Sequence, residues 1–240
     1  MQIQPLQQSR EAFVAQLSEP APPAAVMRIQ SRVLEAIARG YSLDEVLNEL
    51  CFLIEAARAE GLCSILILND KERALHPGVG PSLPPGALRD LDGLPAADNS
   101  GSCGTAAFTG CMAIVEDTST DPRWAAEPLQ QFAQGFGVKA CWSSPFFNKE
   151  GETLGTFAIS LTKQATPSQV DLELLQTAAH LASIAVERAR MEEELKAAHA
   201  KLRSVLGPDK GSEAREADEN VASAMRKLAE VRTILARLPQ

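Results

Sequence analysis

The sequence of 240 residues contains no apolar run that approaches the roughly 20 residues of a membrane-spanning helix. Its first residues lack the apolar segment of a signal peptide. Basic residues are also in the minority, with 23 Lys and Arg against 31 Asp and Glu and a net charge of -8. This charge disfavours nucleic acid and anionic membranes as partners, because no basic field offsets the repulsion of phosphates. We therefore expect a cytoplasmic protein with no nucleic-acid partner and no membrane partner.

The five cysteines are odd in number and widely spaced, which disfavours a disulfide framework. The sequence has no CxxC pair and no Cys/His cluster, so a structural zinc site is not expected. In a reducing compartment such cysteines are free thiols. We predict no metal site.

Proline, glycine and apolar spacing divide the chain into three parts. Three prolines end the first part, so residues 1–25 are predicted to be an N-terminal extension. Residues 26–190 alternate short apolar segments with turn signals and are predicted to form one domain. Residues 191–240 are predicted to form a C-terminal helical extension with coiled-coil character.

The predicted elements of the domain follow the order helix, helix, strand, strand, irregular loop, short helix, strand, helix, hairpin and long helix. This order indicates an α+β fold with a central, mostly antiparallel sheet covered by helices. Ser42 and Glu45 have the spacing of a capping box at the start of the second helix. The proline- and glycine-rich segment Pro77–Gly86 predicts irregular structure. Asp121 is predicted to cap a helix over Pro122–Gln134.

A long helix is predicted from Ser168 to about Leu206, and a second helix from Val221 to Leu238. Both carry apolar residues at alternating steps of three and four, as in a coiled coil. They could pair as an antiparallel hairpin or with a partner chain, and we expect a homodimer. Alternatively, the first half of the long helix packs on its own sheet. The seam of the long helix consists of Leu181, Ile184, Arg188, Met191, Leu195, Ala198, Leu202 and Val205.

Five long phrases of the sequence, in this order, resemble a GAF domain of the kind attached to bacterial signalling proteins. The resemblance covers roughly Val26 to Arg190. It implies a sheet of five to six antiparallel strands, with the terminal helices on one face and a ligand pocket on the other. It also implies a small-molecule sensor, and many members of the family dimerise through their flanking helices. We expect the chain either to act on a downstream signalling protein through its terminal helices or to be one piece of a longer regulator. The phrases are LHPGVGPSLPPG, GSCGTAAFTG, IVEDTSTDPRW, GVKACWSSPFFNKEGETLGTFAISL and LLQTAAHLASIAVER.

Ser102, Cys103, Gly104 and Thr105 are the first candidate ligand-binding residues, because they lie where a loop is predicted to become a helix. Free backbone N–H groups at a helix start can bind an anion, and small residues allow a ligand to approach the backbone. In the alternative, Ser102 caps a helix over Gly104–Thr109 and the glycines only serve tight turns. Similarity to members that sense nitrate makes a small anion a plausible ligand.

Four further candidates are Trp124, Cys141, Trp142 and Phe157. Alternation along the strand would send Cys141 to one face of the sheet and Trp142 to the other. Which face meets the pocket is open at this point, and core packing is the alternative for both tryptophans.

An enzymatic alternative comes from similarity to the free methionine-(R)-sulfoxide reductases, GAF-fold enzymes with redox cysteines. Cys103 matches their GxCG phrase, and their chemistry requires an attacking thiolate and a nearby resolving thiol. Between Cys111 and Cys141, where that family places its attacking residue, this sequence has no cysteine. We therefore expect a protein without catalytic residues. A third possibility is a GAF domain that binds no ligand and only dimerises.

Overall fold

The computed structural model describes residues 22–206 of the chain. Most of the predicted N-terminal extension and the helix predicted from Val221 to Leu238 lie outside the described residues. Thirteen elements follow one another along the described chain. They are α1 (Pro22–Ala38), α2 (Leu43–Ala57), β1 (Gly61–Asn69), β2 (Ala74–Val79), α3 (Ala87–Asp90), β3 (Leu94–Pro95), α4 (Gly101–Thr109), β4 (Ala113–Val115), a 3-10 helix (Pro122–Trp124), α5 (Glu127–Phe136), β5 (Ala140–Phe147), β6 (Thr153–Leu161) and α6 (Gln169–Leu206).

The six strands form one antiparallel sheet in the order β3-β2-β1-β6-β5-β4. The α+β prediction with five to six antiparallel strands is confirmed. The hairpin of β5 and β6 lies at the centre of the sheet, since β6 pairs with β5 along its whole length and with β1 over residues 155–161.

Helices cover both faces of this sheet and enclose two apolar cores. On one face α1, α2 and α6 pack on each other and on the central strands, and the core between them includes Trp142 and Phe157. On the other face α4 packs on β4, β5 and β6, and the core there includes Cys103, Trp124 and Cys141. Strand alternation explains the separation, because successive side chains of β5 point to opposite faces.

Two local sequence predictions are confirmed. The Ser42 hydroxyl accepts from the Glu45 N–H, and the Glu45 carboxylate accepts from the Ser42 N–H at 2.8 Å, which is the predicted capping box. The α6 helix runs without a break to Leu206. Its first half packs on the sheet as far as Val186, as in the alternative given above, while its second half projects beyond the domain with Met191, Leu195 and Leu202 exposed.

Three local predictions are wrong, each for a physical reason. Irregular structure was predicted from Pro77, but β2 continues to Val79. Proline has no N–H to donate, and β3 pairs only with the start of β2. Pro77 therefore leaves no hydrogen bond to β3 unmade. The helix predicted over Pro122–Gln134 is two helices, because Ala126 is extended and a new helix begins after it, with Pro128 in its first turn. Ser102 is not a cap, because α4 already begins at Gly101.

Gly155 provides a test of how closely the central strands approach. A β-carbon at this position would clash with the Leu66 carbonyl oxygen and with the Phe146 ring. We expect Gly155→Ala to lower the free energy of unfolding by about 1–3 kcal/mol, because backbone atoms of β1 would have to shift. Urea denaturation measures this change.

The matched control is Gly135→Ala in α5, where a new β-carbon would meet nothing within 4 Å. Alanine is the better helix former, so this variant should be neutral or more stable by up to about 1 kcal/mol. Equal destabilisation by the two substitutions would contradict the close approach at Gly155.

Candidate functional site

A cavity of about 20 Å³ lies between the sheet and the helices of the α4 face. A volume of this size holds about one water molecule. Its walls are mostly apolar, and serine hydroxyls and two thiols supply the polar atoms. The lining residues are Ser64, Leu91, Leu94, Gly101, Ser102, Cys103, Trp124, Leu129, Phe132, Cys141, Ala158 and Ser160.

The first turn of α4 forms one wall of this cavity. Ser100 occupies the N-cap position, but its side chain makes no capping hydrogen bond to the helix. The backbone N–H groups of Gly101, Ser102 and Cys103 at the helix start therefore have no side-chain cap. Because these groups carry the positive end of the helix dipole, the cavity wall favours negative charge.

Ser102 and Trp124 attach α4 to the strand beneath it. The Ser102 hydroxyl donates to the Cys141 carbonyl oxygen at 3.0 Å, and the Trp124 indole N–H donates to the Ser102 oxygen at 3.1 Å. All three residues are buried. A hydrogen-bonded chain from the 3-10 helix through α4 to β5 thus fixes the first turn of α4 against the sheet.

Cys103 and Cys141 form a pair of buried free thiols at the cavity. Both line the same cavity of about 20 Å³, and each thiol influences the pKa of the other. Each sulfur also has a serine partner: Cys103 Sγ lies 3.2 Å from Ser143 Oγ, and the Ser160 hydroxyl points at Cys141 Sγ from 3.7 Å. The two thiols therefore share one small, hydroxyl-rich environment.

The hydrogen bonds around this pair separate the acidities of the two thiols. The hydrogen bond from Cys103, opposed by burial and helped by the hydroxyls of Ser102, Ser160 and Ser143, lowers the pKa of Cys141 to about 7. The same hydrogen bond, with burial, raises the pKa of Cys103 well above its usual range. When the pair ionises near neutral pH, the thiolate therefore forms on Cys141, and Cys103 keeps its proton.

Ser64 adds a hydroxyl to the cavity from the neighbouring strand. It lies on β1 opposite Ala158, and its side chain lines the cavity while only 3% of the residue is exposed. A hydroxyl can both donate and accept a hydrogen bond, so Ser64 can bind a polar ligand in the cavity.

The structure brings four of the eight predicted site residues together at the cavity: Ser102, Cys103, Trp124 and Cys141. Gly104 and Thr105 lie on the same helix but do not line the cavity. Gly104 instead serves packing, because a β-carbon there would clash with the Pro95 carbonyl oxygen and with Ser100.

Trp142 and Phe157 do not reach the cavity, because they belong to the core on the opposite face of the sheet. Trp142 therefore points to the face of the sheet that α1, α2 and α6 cover. Its indole N–H donates to the Ala165 carbonyl oxygen at 3.2 Å, on the side of α6.

Sequence reasoning missed Ser64 and Ser160, the polar residues of the neighbouring strands. Their signal was the pairing register: Ser160 lies opposite Cys141, and Ser64 lies opposite Ala158. The hairpin turn could have given the first pairing. The second pairing joins distant segments, and no local pattern predicts it.

The described residues contain neither a membrane-spanning helix nor a group of side chains placed to bind a metal ion. No helix there is long and apolar enough to span a membrane. Among residues 22–206 there is also no group of three or more His, Cys, Asp or Glu side chains placed to hold a metal ion.

Among solved structures, the fold is similar to the GAF domain of a phosphoenolpyruvate-protein phosphotransferase from Acinetobacter. The TM-score is 0.56 at 16% identity, over 70% of this chain and 97% of that chain. It is also similar to the free methionine-R-sulfoxide reductase of Neisseria meningitidis, with a TM-score of 0.56 at 16% identity, over 73% of this chain and 96% of that one. At such identities the likeness shows a common fold alone.

The sequence itself has a nearer relative. It is 39% identical over 177 residues to the methyl sulfide methyltransferase-associated sensor of Methanosarcina acetivorans. The match covers 74% of this chain but only 18% of the length of that sensor. A family model described as a GAF domain matches residues 41–187, which is more than half of the sequence. With its six-stranded sheet and helices on both faces, this chain belongs to the GAF domain family.

Proposed function

We propose that this GAF domain is a sensor in which a small ligand in the cavity alters the packing of the terminal helices. One observation carries the proposal: the start of α4, which has no side-chain cap, and the Ser64 hydroxyl meet at the same cavity. A ligand in the cavity can form hydrogen bonds to both groups. The backbone N–H groups favour a small anion or a polar group with lone pairs.

The small volume of the cavity supports a coupling between binding and movement. A space that holds about one water molecule cannot take a larger ligand unless a wall moves. Leu91 and Leu94 form the wall with the weakest attachment, because β3 consists of only two residues. A ligand that displaces this wall binds the open arrangement better than the closed one, which is the requirement for a signal.

The contacts of β5 offer a route from the cavity to α6. Cys141 lies at the cavity, while its neighbour Trp142 contacts the segment before α6 through Ala165. The Arg58 guanidinium lies 5.6 Å from the centroid of the Trp142 ring and pairs with Asp171 in the first turn of α6 at 2.6 Å. A shift of β5 would therefore act directly on the base of the long helix.

The exposed second half of α6 supports a homodimer as the output of this shift. Met191, Leu195 and Leu202 are between 54% and 59% exposed and follow the predicted coiled-coil seam. On α1, Met27 and Leu34 are exposed as well. Apolar side chains in such a row are typical of a helix that packs against a partner helix.

The relative from Methanosarcina acetivorans is named as a sensor, which favours a regulatory role over an enzymatic one. Because the match spans only 18% of that protein, its output does not transfer to this chain. We propose that the altered helices act on a downstream signalling protein in the cytoplasm.

Two alternatives remain as competing proposals. The chain could be a reductase of free methionine sulfoxide, since the thiol pair and the fold resemble that class. It lacks a cysteine between Cys111 and Cys141, and an assay of sulfoxide reduction coupled to NADPH oxidation would test this. The chain could also be a dimerisation module without a ligand. Trp142 and Phe157 do not fill the cavity, so this alternative finds no support in those two residues.

Sodium nitrate and sodium formate are suitable probes for the anion preference of the cavity. At ten times the dissociation constant, an anion should stabilise the protein by about 1.4 kcal/mol, visible as a higher melting temperature. Ser64→Ala should weaken this shift by removing a hydroxyl from the cavity, and Ala158→Leu should abolish it by filling the space. Thermal unfolding at constant ionic strength, with chloride as the reference, measures the effect.

Ser183→Ala is the control for this experiment, because it removes a buried hydroxyl of α6 away from the cavity. Its response to nitrate should equal that of the wild type. Equal shifts in all variants would place the anion elsewhere on the surface. If neither anion shifts the wild type and native mass spectrometry of the purified protein shows no added mass, the dimerisation module is favoured.

Leu195→Glu tests the dimer. A charge in the seam cannot be buried without a partner, so we expect this variant to be a monomer at concentrations at which the wild type is a dimer. Light scattering during size-exclusion chromatography measures the mass. Ala197→Glu lies on the same exposed helix but outside the seam, and it should remain dimeric. A monomeric wild type would contradict the proposal.

A further inference from the structure

Four of the five cysteines form two buried pairs on opposite faces of the sheet. Cys51 and Cys63 are neighbours in the core beneath α1, α2 and α6, whereas Cys103 and Cys141 lie at the cavity. We infer that Cys103 and Cys141 are a reactive dithiol site, which hydrogen peroxide oxidises to a disulfide between α4 and β5. This inference adds hydrogen peroxide as a signal to the proposed sensing role. It rests on that proposed function for the effect of oxidation on the terminal helices.

The geometry supports a direct bond between these two sulfurs. The Ser102 hydroxyl holds the first turn of α4 to the Cys141 carbonyl at 3.0 Å, so the residue after Ser102 is presented to the same part of β5. Cys103 Sγ reaches Ser143 Oγ at 3.2 Å, two residues along that strand. Because both thiols line the same cavity of about 20 Å³, we expect a disulfide to require only a local movement.

The two thiols have different roles in the reaction. Cys141 is the attacking group, because the hydrogen bond from Cys103 and the surrounding hydroxyls lower the pKa of its thiol. Cys103 keeps its proton and is the resolving thiol. Peroxides react with the thiolate rather than the thiol, so the pair contains one reactive group and one partner beside it.

The reaction balances with hydrogen peroxide as the only oxidant. The Cys141 thiolate attacks one oxygen, the O–O bond breaks, and a sulfenic acid and hydroxide form. The Cys103 sulfur then attacks the Cys141 sulfur, the S–O bond breaks, and the disulfide forms. The hydroxyl leaves with the proton of Cys103 as water. In sum, two thiols and one hydrogen peroxide give one disulfide and two water molecules.

The size of the cavity restricts the oxidant. A volume of about 20 Å³ suits a molecule close to water in size, which hydrogen peroxide is and an organic hydroperoxide is not. Cys103 and Cys141 are only 7% and 3% exposed, so a larger reagent has no direct approach. We therefore expect tert-butyl hydroperoxide to react far more slowly with the folded protein than hydrogen peroxide does.

The test uses the reduced wild-type protein and no substitution. Hydrogen peroxide is added, the reaction is stopped at intervals with catalase, and all remaining thiols are alkylated in denaturant. Peptide mass spectrometry then counts each cysteine and detects the linked peptides. At pH 7 we expect a Cys103–Cys141 disulfide, with Cys141 lost roughly tenfold faster than in the urea-unfolded protein, where its pKa is ordinary.

The other cysteines supply internal controls. Cys51 and Cys63 are a buried pair of the same kind, but burial raises the pKa of both thiols and neither lines the cavity. They should stay reduced while Cys103 and Cys141 are oxidised. Oxidation of both pairs at one rate, or no linked peptide after Cys141 is consumed, would overturn the inference.

Variants assign the order of the two steps. In Cys103→Ser the sulfenic acid on Cys141 has no resolving thiol, so dimedone added with denaturant should label it. In Cys141→Ser neither the label nor a disulfide should form. Cys111→Ser changes an exposed thiol outside the cavity and should react as the wild type does. Labelling of Cys103 in place of Cys141 would contradict the assigned roles.

A pH profile provides an independent readout. The groups that face Cys141 are the thiol of Cys103 and the hydroxyls of Ser102, Ser143 and Ser160, and no charged side chain is among the described residues that line the cavity. The rate should therefore rise as the pH passes about 7, where the thiolate forms, and level off above it. A rate that still rises tenfold per pH unit between 7 and 8 would contradict a lowered pKa.

The outcomes for the two proposals are separable. A disulfide without any change in helix packing, followed by light scattering and by Trp124 fluorescence, would support the dithiol site and contradict its role in sensing. Nitrate binding without disulfide formation would support sensing by the cavity and contradict the dithiol site. Consumption of methionine sulfoxide with turnover would assign the thiol pair to the reductase alternative and overturn the peroxide proposal.

Discussion

The pleat of β5 is the constraint on which the rest of the structure depends. Since successive side chains of a strand point to opposite faces, Cys141 and Trp142 must separate, one toward α4 and the other toward α6. Adjacent residues of one strand therefore contact the cavity and the segment that leads into α6. Pairing of β5 with β6 along its whole length keeps this strand in place.

A bound anion and the Cys141 thiolate would both be stabilised by the N–H groups at the start of α4. Uncapped N–H groups favour negative charge, and either a bound anion or the Cys141 thiolate can supply it. Both charges in so small a cavity would repel each other. A bound anion should then raise the pKa of Cys141 and slow its oxidation, whereas a disulfide removes the thiolate. Ligand and redox state would thus influence each other through ordinary Coulomb interactions, without any further contact.

The structural relatives illustrate that the fold alone does not choose among these roles. A phosphotransferase domain and a sulfoxide reductase share the sheet and its helices with this chain at equal TM-scores of 0.56. In this chain the cavity is lined by Ser64, Ser160 and two thiols, among other residues, around a space for about one water molecule. Function in such a fold is decided by a few side chains of the site, which change without altering the framework.

The sequence by itself determined most of the elements and their order, but not β3 or the division of the helix predicted over Pro122–Gln134. Local patterns specify these features: the capping box at Ser42, the unbroken helix to Leu206 and the hairpin around Gly151 each depend on residues close together in the chain. The resemblance of long phrases determined the family. Of the eight proposed site residues, the four that meet at the cavity came from the first turn of α4, from the 3-10 helix and from β5.

Only the tertiary structure decided which residues share the cavity. Ser64 and Cys103 are far apart in the chain, and the pairing of β1 with β6 and the packing of α4 on β5 bring them to one face. The same packing assigned Trp142 to the opposite core and placed Cys103 against Cys141, where their hydrogen bond separates the two pKa values. The physical reason is that strand alternation gives two possible faces, and only the long-range register and the packed helices select one of them.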